Sequence, residues 1–244
     1  MQIEELKNMI EHSHYIVFLG GAGVSTESGI PDFRSEKGYF EACKKYGVPP
    51  ETLLSHDFFM NDPEAFYDYY KTNLIFTDIK PNDAHISLAQ LEETGKLKAI
   101  VTQNIDGLHQ LAGSKSVYEL HGSVYRNYCL ECGANYGLDV IQCEGVPKCS
   151  VCGGIVRPDV VLYGEMLDSN VMDGGIRHIK RADMLIVGGT SLNVYPAAGL
   201  TNYFDGKYSA IINRDSTSYD SAADIAIHAN IGETLKAVMQ KLTI

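Results

Sequence analysis

The sequence lacks three features that would each point to a different kind of protein. No run of about 18 apolar residues occurs in its 244 residues, so no membrane-spanning helix is expected. The first residues are acidic and amphipathic and form no basic-then-apolar leader, which predicts a cytoplasmic protein. Basic residues are in the minority: 20 lysines and arginines against 31 aspartates and glutamates give a formal net charge of -11. This balance argues against nucleic-acid binding, which needs a basic surface.

The apolar residues occur in short runs. Hydrophobic residues make up 45% and charged residues 21% of the chain, as in an ordinary globular protein. The length suits one large domain, or one domain with a small insert. Short apolar runs, each followed by polar or glycine residues, alternate with helical patterns. This alternation predicts an α/β fold with a doubly wound parallel sheet. The runs are residues 15–19, 97–102, 117–120, 184–187, 208–212 and 225–228.

The first run leads directly into the very small residues Gly20, Gly21, Ala22 and Gly23. A strand that ends in this way lets a ligand approach the backbone, and free amides there can hold a phosphate. A tight strand-to-helix turn is the alternative, because the spacing lacks the third glycine of the usual dinucleotide fingerprint. Residues 31–34 then supply a proline, a carboxylate, an aromatic ring and a guanidinium. Beside a phosphate cradle, such a group could grip a dinucleotide.

Residues 36–79 differ in character from the rest of the chain. They are rich in aromatic residues and interrupted by prolines, which predicts a small helical module inserted after the glycine-rich turn. Asp62 is expected to cap a helix that has Pro63 at its first position. We interpret the aromatic residues as packing residues. His85, at the start of a further helix, is expected to be a helix-start or core histidine.

Four of the six cysteines form two pairs with two residues inside each pair, Cys129 with Cys132 and Cys149 with Cys152. This spacing is typical of a zinc site. Four thiolate ligands leave no open coordination position, so the zinc would be structural. Disulfide bonds are the alternative, which a cytoplasmic location disfavours. Cys43 and Cys143 are expected to be free thiols.

With these motifs in place, the chain resembles the sirtuins, NAD-dependent protein-lysine deacylases, and in particular their bacterial-type single-domain members. The resemblance rests on motifs in the family's order along nearly the whole chain. They are GAGVS-x-x-SGIPDFRS from residue 21, TQNIDGLH at 102–109, His121-Gly122, the paired cysteines, RPDVVLYGE at 157–165, GTSLNVYPA at 189–197 and Ile212-Asn213.

The resemblance implies a Rossmann-like NAD-binding domain, and a smaller domain made of a Zn-ribbon module and the helical insert. The substrates would meet in the cleft between them. On this basis the Rossmann-like domain is expected to comprise residues 1–35, 80–123 and 164–244. The small domain would comprise the helical module, residues 36–79, and the zinc-binding module, residues 124–163.

The resemblance also implies a deacetylase that consumes NAD and releases nicotinamide, 2′-O-acetyl-ADP-ribose and deacetylated protein. His121 would act as the general base, as suits a histidine. Asp106 and Ile105 would hold the nicotinamide carboxamide, Asn104 the ribose hydroxyls, and Phe33 would shield the reactive face. The remaining NAD contacts would be Gly21, Ala22, Gly23, Thr26, Asp32, Arg34, Gln103, Gly189, Thr190, Ser191, Asn213 and Ile231.

The same resemblance predicts acetyl-lysine proteins or peptides as partners, with nicotinamide as a product inhibitor. The peptide would add as a strand between residues 161–165 and 193–195. Family members that remove acidic acyl groups carry a Tyr-x-x-Arg pair, whereas this chain has Tyr67-x-x-Tyr70, with Asp68 expected to add negative charge nearby. A neutral acyl group, acetyl or longer, is therefore expected. The peptide contacts would be Val161, Tyr163, Gly164, Glu165 and Val194.

Two other functions stay open at this point. A protein mono-ADP-ribosyltransferase could use the same NAD cradle, and its nicotinamide release would depend on an unmodified acceptor. A non-catalytic NAD-binding or zinc-dependent binding module is the other alternative. It predicts the loss of Asn104, Asp106 or His121, and all three are present.

Overall fold

The computed structural model describes residues 1–31 and 36–242, with the side chains of residues 36–38 left out. Two sheets organise the described residues. Their strands are β1 (Ile16–Gly20), β2 (Leu97–Thr102), β3 (Val117–Glu119), β4 (Gly122–Cys129), β5 (Asn135–Tyr136), β6 (Val156–Val160), β7 (Met184–Gly188), β8 (Tyr208–Ile212) and β9 (Ile225–Ile227).

The larger sheet has six strands in the order β3-β2-β1-β7-β8-β9, and every pairing is parallel. All six predicted apolar runs form its strands, with ends that differ by one residue or so. β1 and β7 are buried along their whole length. Strands covered on both faces need no polar alternation, which explains why the sequence shows continuous apolar runs there.

Helices connect the strands. They are α1 (Gln2–Glu11), α2 (Gly23–Thr26), α3 (Glu36–Tyr46), α4 (Pro50–Leu53), α5 (His56–Asn61), α6 (Pro63–Leu74), α7 (Asp83–Glu93), α8 (Leu108–Leu111), α9 (Ser169–Arg181) and α10 (Ile231–Met239), with 3₁₀ segments at Leu138–Gln142 and Ala197–Tyr203. None of the helices within the described ranges has both the length and the apolar character needed to cross a membrane.

Side chains of β1 show how the two faces of the large sheet are covered. Ile16 and Phe18 point into a core formed with α1, α7 and α10. Val17 and Leu19 point into the opposite core, which includes Ile179 of α9. Alternate residues of a strand face opposite sides, so each helix layer buries one set. This is the doubly wound α/β arrangement expected from the sequence.

The smaller sheet is antiparallel, in the order β5-β4-β6, and it packs with the helical module around a separate apolar core. Phe59 and Phe66 lie edge to face with their ring centroids 4.9 Å apart, which supports the interpretation of the module's aromatic residues as packing residues. Asp62 caps α6, because its carboxylate accepts the amide of Ala65 at 3.1 Å.

One inference from the helical module is corrected by the structure. Tyr67 and Tyr70 are buried in this second core, and the Tyr67 hydroxyl donates to the Val156 carbonyl. Neither residue is among the cavity-lining residues described below. Asp68 faces solvent and pairs with Lys45 at 2.8 Å, so its charge is already balanced away from the cavity. The helical pattern predicted the helix but not which of its faces meets the core.

Candidate active site

The carboxyl edge of the large sheet carries the candidate site, where β1, β2 and β7 end side by side. Gly20 pairs with Thr102 on one side and with Gly188 on the other. The loops that follow these three strands therefore meet, as expected at the carboxyl edge of an open parallel sheet. Two cavities open here, of about 280 Å³ and about 200 Å³. Both are lined in part by Ala22, Gln103 and Val194.

The predicted site residues divide between these two cavities. The larger cavity is lined by Ala22, Gln103, Asn104, Ile105, Asp106, His121, Val161, Tyr163, Gly164, Glu165 and Val194. The smaller cavity is lined by Ala22, Gly23, Thr26, Gln103, Gly189, Thr190, Ser191, Val194, Asn213 and Ile231. Gly21 lines neither cavity but packs against Thr190, which lines the smaller one. Asp32, Phe33 and Arg34 fall outside the described residues.

The glycine-rich turn packs tightly against the loop after β7. The amide of Gly23 donates to the Gly189 carbonyl at 2.8 Å, and the amide of Gly21 donates to the Gly188 carbonyl at 3.3 Å. A Cβ on Gly23 would lie 2.8 Å from the Gly189 backbone. These two amides therefore serve the turn and are not free for a phosphate. The glycines instead leave room for close backbone packing beside the smaller cavity.

Asn104 and Asp106 are joined through Ser25 at the floor of the larger cavity. The Ser25 hydroxyl donates to Asp106 Oδ2 at 2.6 Å and accepts from Asn104 Nδ2 at 3.0 Å. The Leu108 amide donates to Asp106 Oδ1 at 2.9 Å. Burial raises the pKa of Asp106, although both of these hydrogen bonds act to lower it. The network fixes the carboxylate and the carboxamide in one orientation.

His121 lies between the two sheets, just after β3. Its Nδ1 is 2.9 Å from the Gln103 carbonyl oxygen, which can only accept, so Nδ1 carries the proton. In the neutral ring, Nε2 is then the nitrogen that can take up a proton. The ring lines the larger cavity together with Asn104 and Asp106. Gly122 has φ +78°, and a Cβ there would lie 1.9 Å from the Asp159 carbonyl oxygen, so only glycine fits.

The loop after β6 forms another wall of the larger cavity, and Glu165 holds its shape. Its carboxylate pairs with buried Arg157, with contacts of 2.7 and 3.0 Å, and accepts the Leu162 amide at 2.9 Å. Burial alone would raise the pKa of Glu165, but Arg157, the Leu162 amide and His56 bring it to about 2. The Glu165 carboxylate therefore uses its hydrogen bonds to hold the loop after β6.

Backbone bonds limit where a peptide strand could pair with this loop. The Tyr163 amide donates to the Leu54 carbonyl at 2.9 Å, and the Tyr163 carbonyl accepts the His56 amide at 3.0 Å. The Val161 amide donates to the His121 carbonyl at 3.0 Å. Within 161–165, the Gly164 amide alone has no backbone or side-chain partner among the described residues. A peptide strand could therefore not pair along the whole segment. It could pair with the Gly164 amide and with those backbone carbonyls that have no partner among the described residues.

The four paired cysteines come together as expected, with their sulfur atoms all within 4.8 Å of one another. The Sγ atoms of Cys129 and Cys152 are 3.5 Å apart, as are those of Cys132 and Cys149. Sulfur ligands around one zinc, with bonds of about 2.3 Å, would lie about 3.8 Å apart, so the geometry fits the metal. None of the four lines either cavity, as expected of a structural metal.

Some residues of the site were not anticipated from the sequence. Ser25 joins Asn104 to Asp106, and its signal was the run of hydroxyl residues after the glycines. The helical module also contributes to the wall of the larger cavity, which no local pattern reveals, because it depends on how the module folds back over the sheet. Its contributing residues are Leu54, Asn73, Leu74 and Phe76.

Together, the parallel sheet, the glycine-rich turn, the paired cavities and the cysteine cluster define a nucleotide-binding α/β protein with a zinc-ribbon module. The Sir2 family model matches residues 21–196. Proteins named NAD-dependent protein deacetylase from Clostridium acetobutylicum and Clostridium perfringens are 58% and 60% identical over 240 residues, with 98% of each chain covered. The chain belongs to the Sir2 family.

Solved structures agree with this assignment. A crystal structure of a Sir2 homologue in complex with NAD has a TM-score of 0.88 and 38% identity, and the match covers 97% of this chain and 92% of that one. A Sir2 structure with a p53 peptide and NAD has a TM-score of 0.87 and 39% identity, covering 99% and 98%. The expected sirtuin fold is thereby confirmed.

Proposed function

We propose that this protein is an NAD-dependent protein-lysine deacetylase. It transfers the acetyl group of acetyl-lysine to ADP-ribose and releases nicotinamide, 2′-O-acetyl-ADP-ribose and the deacetylated protein. The names of relatives at 58% and 60% identity support this activity. So does a related Sir2 structure described with a deacetylated peptide and 2′-O-acetyl-ADP-ribose.

The observation that carries the proposal is the position of His121. Its ring is held by the Gln103 carbonyl with Nε2 as the basic nitrogen, and it lines a cavity shared with Asn104, Asp106 and the loop after β6. A base placed between a nucleotide pocket and a peptide-binding loop suits a reaction in which the two substrates exchange a group.

The proposed roles of the residues are those that membership of the Sir2 family implies. The acyl oxygen of the substrate attacks the ribose carbon that bears nicotinamide, and nicotinamide leaves. His121 then takes a proton from a ribose hydroxyl, whose oxygen attacks the imidate carbon. Asn104 orients the ribose hydroxyls, and Asp106 accepts a hydrogen bond from the nicotinamide carboxamide beside Ile105. Water completes the release of the free lysine amine and the acetylated ADP-ribose.

NAD would extend across both cavities. Ala22 and Gln103 line both, which supports a single elongated ligand with nicotinamide in the larger cavity and adenosine in the smaller one. Asp32, Phe33 and Arg34 complete the contacts in this proposal. On the adenosine side the proposed contacts are Gly21, Gly23, Thr26, Gly189, Thr190, Ser191, Asn213 and Ile231.

The acyl-lysine would enter between the loop after β6 and residues 193–195. Val161, Tyr163 and Val194 line the larger cavity with apolar or aromatic surface, and Gly164 offers its amide to the peptide. No lysine or arginine is among the described residues that line this cavity, which supports a neutral acyl group, acetyl or longer. Glu165 contributes by shaping the loop.

We also propose that the chain is organised into two domains. The Rossmann-like domain comprises residues 1–35, 80–123 and 164–244, and the small domain comprises 36–79 and 124–163. One zinc ion held by the four paired cysteines stabilises the small domain. A cytoplasmic location suits these ligands, because a reducing compartment keeps thiols available for metal binding.

The proposal is tested by incubating the protein and NAD with an acetylated peptide or with the same peptide unacetylated. Nicotinamide and 2′-O-acetyl-ADP-ribose are then quantified. We expect both products in equal amounts, and only with the acetylated peptide. Equal nicotinamide release from the two peptides, with ADP-ribose on the peptide, would instead indicate a mono-ADP-ribosyltransferase.

A further inference from the structure

The chain crosses from the large sheet to the small sheet at the proposed catalytic base. β3 ends at Glu119 in the large sheet, and β4 begins at Gly122 in the small one. Only Leu120 and His121 lie between them. A contact that joins the two sides of this crossing therefore fixes the chain on both sides of His121.

Arg126 makes such a contact. Its Nη1 donates to Glu119 Oε2 at 2.6 Å, and its Nε donates to Asp159 Oδ2 at 2.8 Å. Glu119 is at the edge of the large sheet and its side chain is 7% exposed, whereas Asp159 is on β6 of the small sheet. The guanidinium thus links both sheets across the crossing.

The neighbours of Arg126 on β4 hold the loop that carries Asp106. The Val124 amide donates to the Ile105 carbonyl at 3.0 Å. The Tyr125 ring packs on Gly107, where a Cβ would lie only 2.7 Å from it. Three consecutive residues of β4 therefore contact the proposed nicotinamide loop on one side and Glu119 on the other.

The charges in this region need Arg126 for balance. Asp106 and Glu119 are close enough for their charges to interact: burial is the main cause that raises the pKa of Asp106, and the negative charge of Glu119 makes a smaller contribution in the same direction. Among the described residues, Arg126 is the cation that pairs with Glu119. Without it, a buried carboxylate would have no counter-charge beside Asp106, which is strongly unfavourable.

We propose that Arg126 is a positioning residue for NAD: by pairing with Glu119, it holds the Asp106 loop and offsets the charge repulsion between the Glu119 and Asp106 carboxylates. This inference rests on the proposed function. Arg126 touches neither substrate in this arrangement. Its effect reaches the nicotinamide carboxamide through Asp106, which accepts the stronger, charge-assisted hydrogen bond when it is ionised and in place.

The expected consequence is selective for NAD. In Arg126→Gln, the unpaired Glu119 favours protonation or displacement of Asp106, so NAD binds more weakly while the peptide loop is unaffected. A second change, Glu119→Gln, removes the unbalanced charge and should restore NAD binding. Lys45→Gln is the matched control, since it breaks an ion pair of 2.8 Å whose cation is similarly exposed.

The test measures KM for NAD and for acetylated peptide, and the melting temperature, for the wild type and these variants at pH 6.5 and 8.5. We expect Arg126→Gln to raise KM for NAD by at least about threefold at pH 6.5 and by less at pH 8.5, because a raised pKa leaves more of the Asp106 carboxylate protonated at the lower pH. KM for peptide should stay within about twofold. The double variant and Lys45→Gln should resemble the wild type.

The pH readout must be assigned among the groups that face Asp106. These are Ser25, the Leu108 amide, Glu119 and the ring of His121 in the same cavity. Glu119 in turn faces Arg126. Only a shift that Glu119→Gln reverses belongs to the proposed pair, because neither His121 nor Ser25 is altered by that change.

Two results would overturn the inference: equal effects of Arg126→Gln on both KM values, or no recovery in the double variant. If Arg126→Gln is unfolded, a folded double variant still supports charge balance, whereas two unfolded variants mean that Arg126 serves the fold alone. Absence of nicotinamide release by the wild type would refute the proposed function instead. In that case, NAD binding by the variants could still be compared through the rise in melting temperature that NAD causes in each of them.

Discussion

Acidification from pH 7 to pH 5 should strongly destabilise this protein, because two histidines are buried together in its interior. His85 lies in the first turn of α7 and His109 lies on α8, and their ring centroids are 4.8 Å apart. Both side chains are almost completely buried. His85 Nε2 and both ring nitrogens of His109 have no hydrogen-bond partner within the described ranges. A protonated imidazole would have no counter-charge there.

Burial lowers the pKa of His85 to about 4 and that of His109 to about 3, in the second case with a smaller contribution from His85. In the unfolded chain both would titrate near 6.5. Below pH 6.5 the unfolded state therefore binds protons that the folded state does not, and stability falls as the pH falls. Between pH 7 and pH 5 each histidine contributes about 2 kcal/mol to this loss, or about 4 kcal/mol for the pair.

The measurement is the free energy of unfolding from urea titrations at pH 7, 6 and 5, followed by circular dichroism. Most carboxylates stay ionised above pH 5, so this window reports mainly on histidines. Burial also lowers the pKa of His178, which adds to the loss, whereas the raised pKa of Asp106 opposes it. His109→Phe, which keeps a ring beside Phe18, should reduce the pH-dependent loss by about 2 kcal/mol. His12→Gln, at an exposed position, should leave it unchanged.

A free energy of unfolding that is equal at pH 7 and pH 5 would refute this reasoning. So would a His109→Phe variant with the full wild-type pH dependence, because the protons would then be binding elsewhere.

Three further outcomes are expected. Removal of zinc with a chelator should lower the melting temperature by about 10 °C, and zinc, but not magnesium, should restore it; an unchanged melting temperature would contradict a structural metal. Glu165→Gln leaves Arg157 buried without its partner, so it should cost about 3 kcal/mol of stability and raise KM for peptide but not for NAD. In the wild type, the low pKa of Glu165 stabilises the fold above about pH 4.5, and this contribution is lost as the pH falls towards about 2. In an acid titration, the free energies of unfolding of the wild type and Glu165→Gln should therefore converge. Gly122→Ala should abolish deacetylation and destabilise the protein by at least about 2 kcal/mol, since its Cβ would overlap the Asp159 carbonyl; a wild-type melting temperature would disprove this packing.

Much of the fold and the zinc site could be predicted from local patterns. Strands buried on both faces are continuous apolar runs, so the strand at 97–102 was predicted with its observed bounds. Two Cys-x-x-Cys pairs specify a metal site without knowledge of the fold. His85 was expected to be a helix-start or core histidine, and it is both. Its side chain accepts a hydrogen bond from the Asn82 amide at the start of α7, and it is fully buried.

The sequence could not show which groups are already used within the protein. The amide of Gly23 binds the loop after β7, and both backbone groups of Tyr163 bind the helical module. These bonds join segments far apart in the chain, so no local pattern contains them. The same limitation applies to Tyr67, whose direction depends on how α6 packs, and to Arg126, whose partner Glu119 precedes the crossing between the two sheets.

The most direct test of the account concerns His121 as the base that acts after nicotinamide has left. His121→Ala should be incubated with NAD, acetylated peptide and labelled nicotinamide, while exchange of the label into NAD and formation of acetyl-ADP-ribose are followed in parallel. We expect label exchange to persist and acetyl-ADP-ribose formation to fall at least about 100-fold, because only the second step needs the proton removed. Acetyl-ADP-ribose formation at the wild-type rate would contradict the central claim.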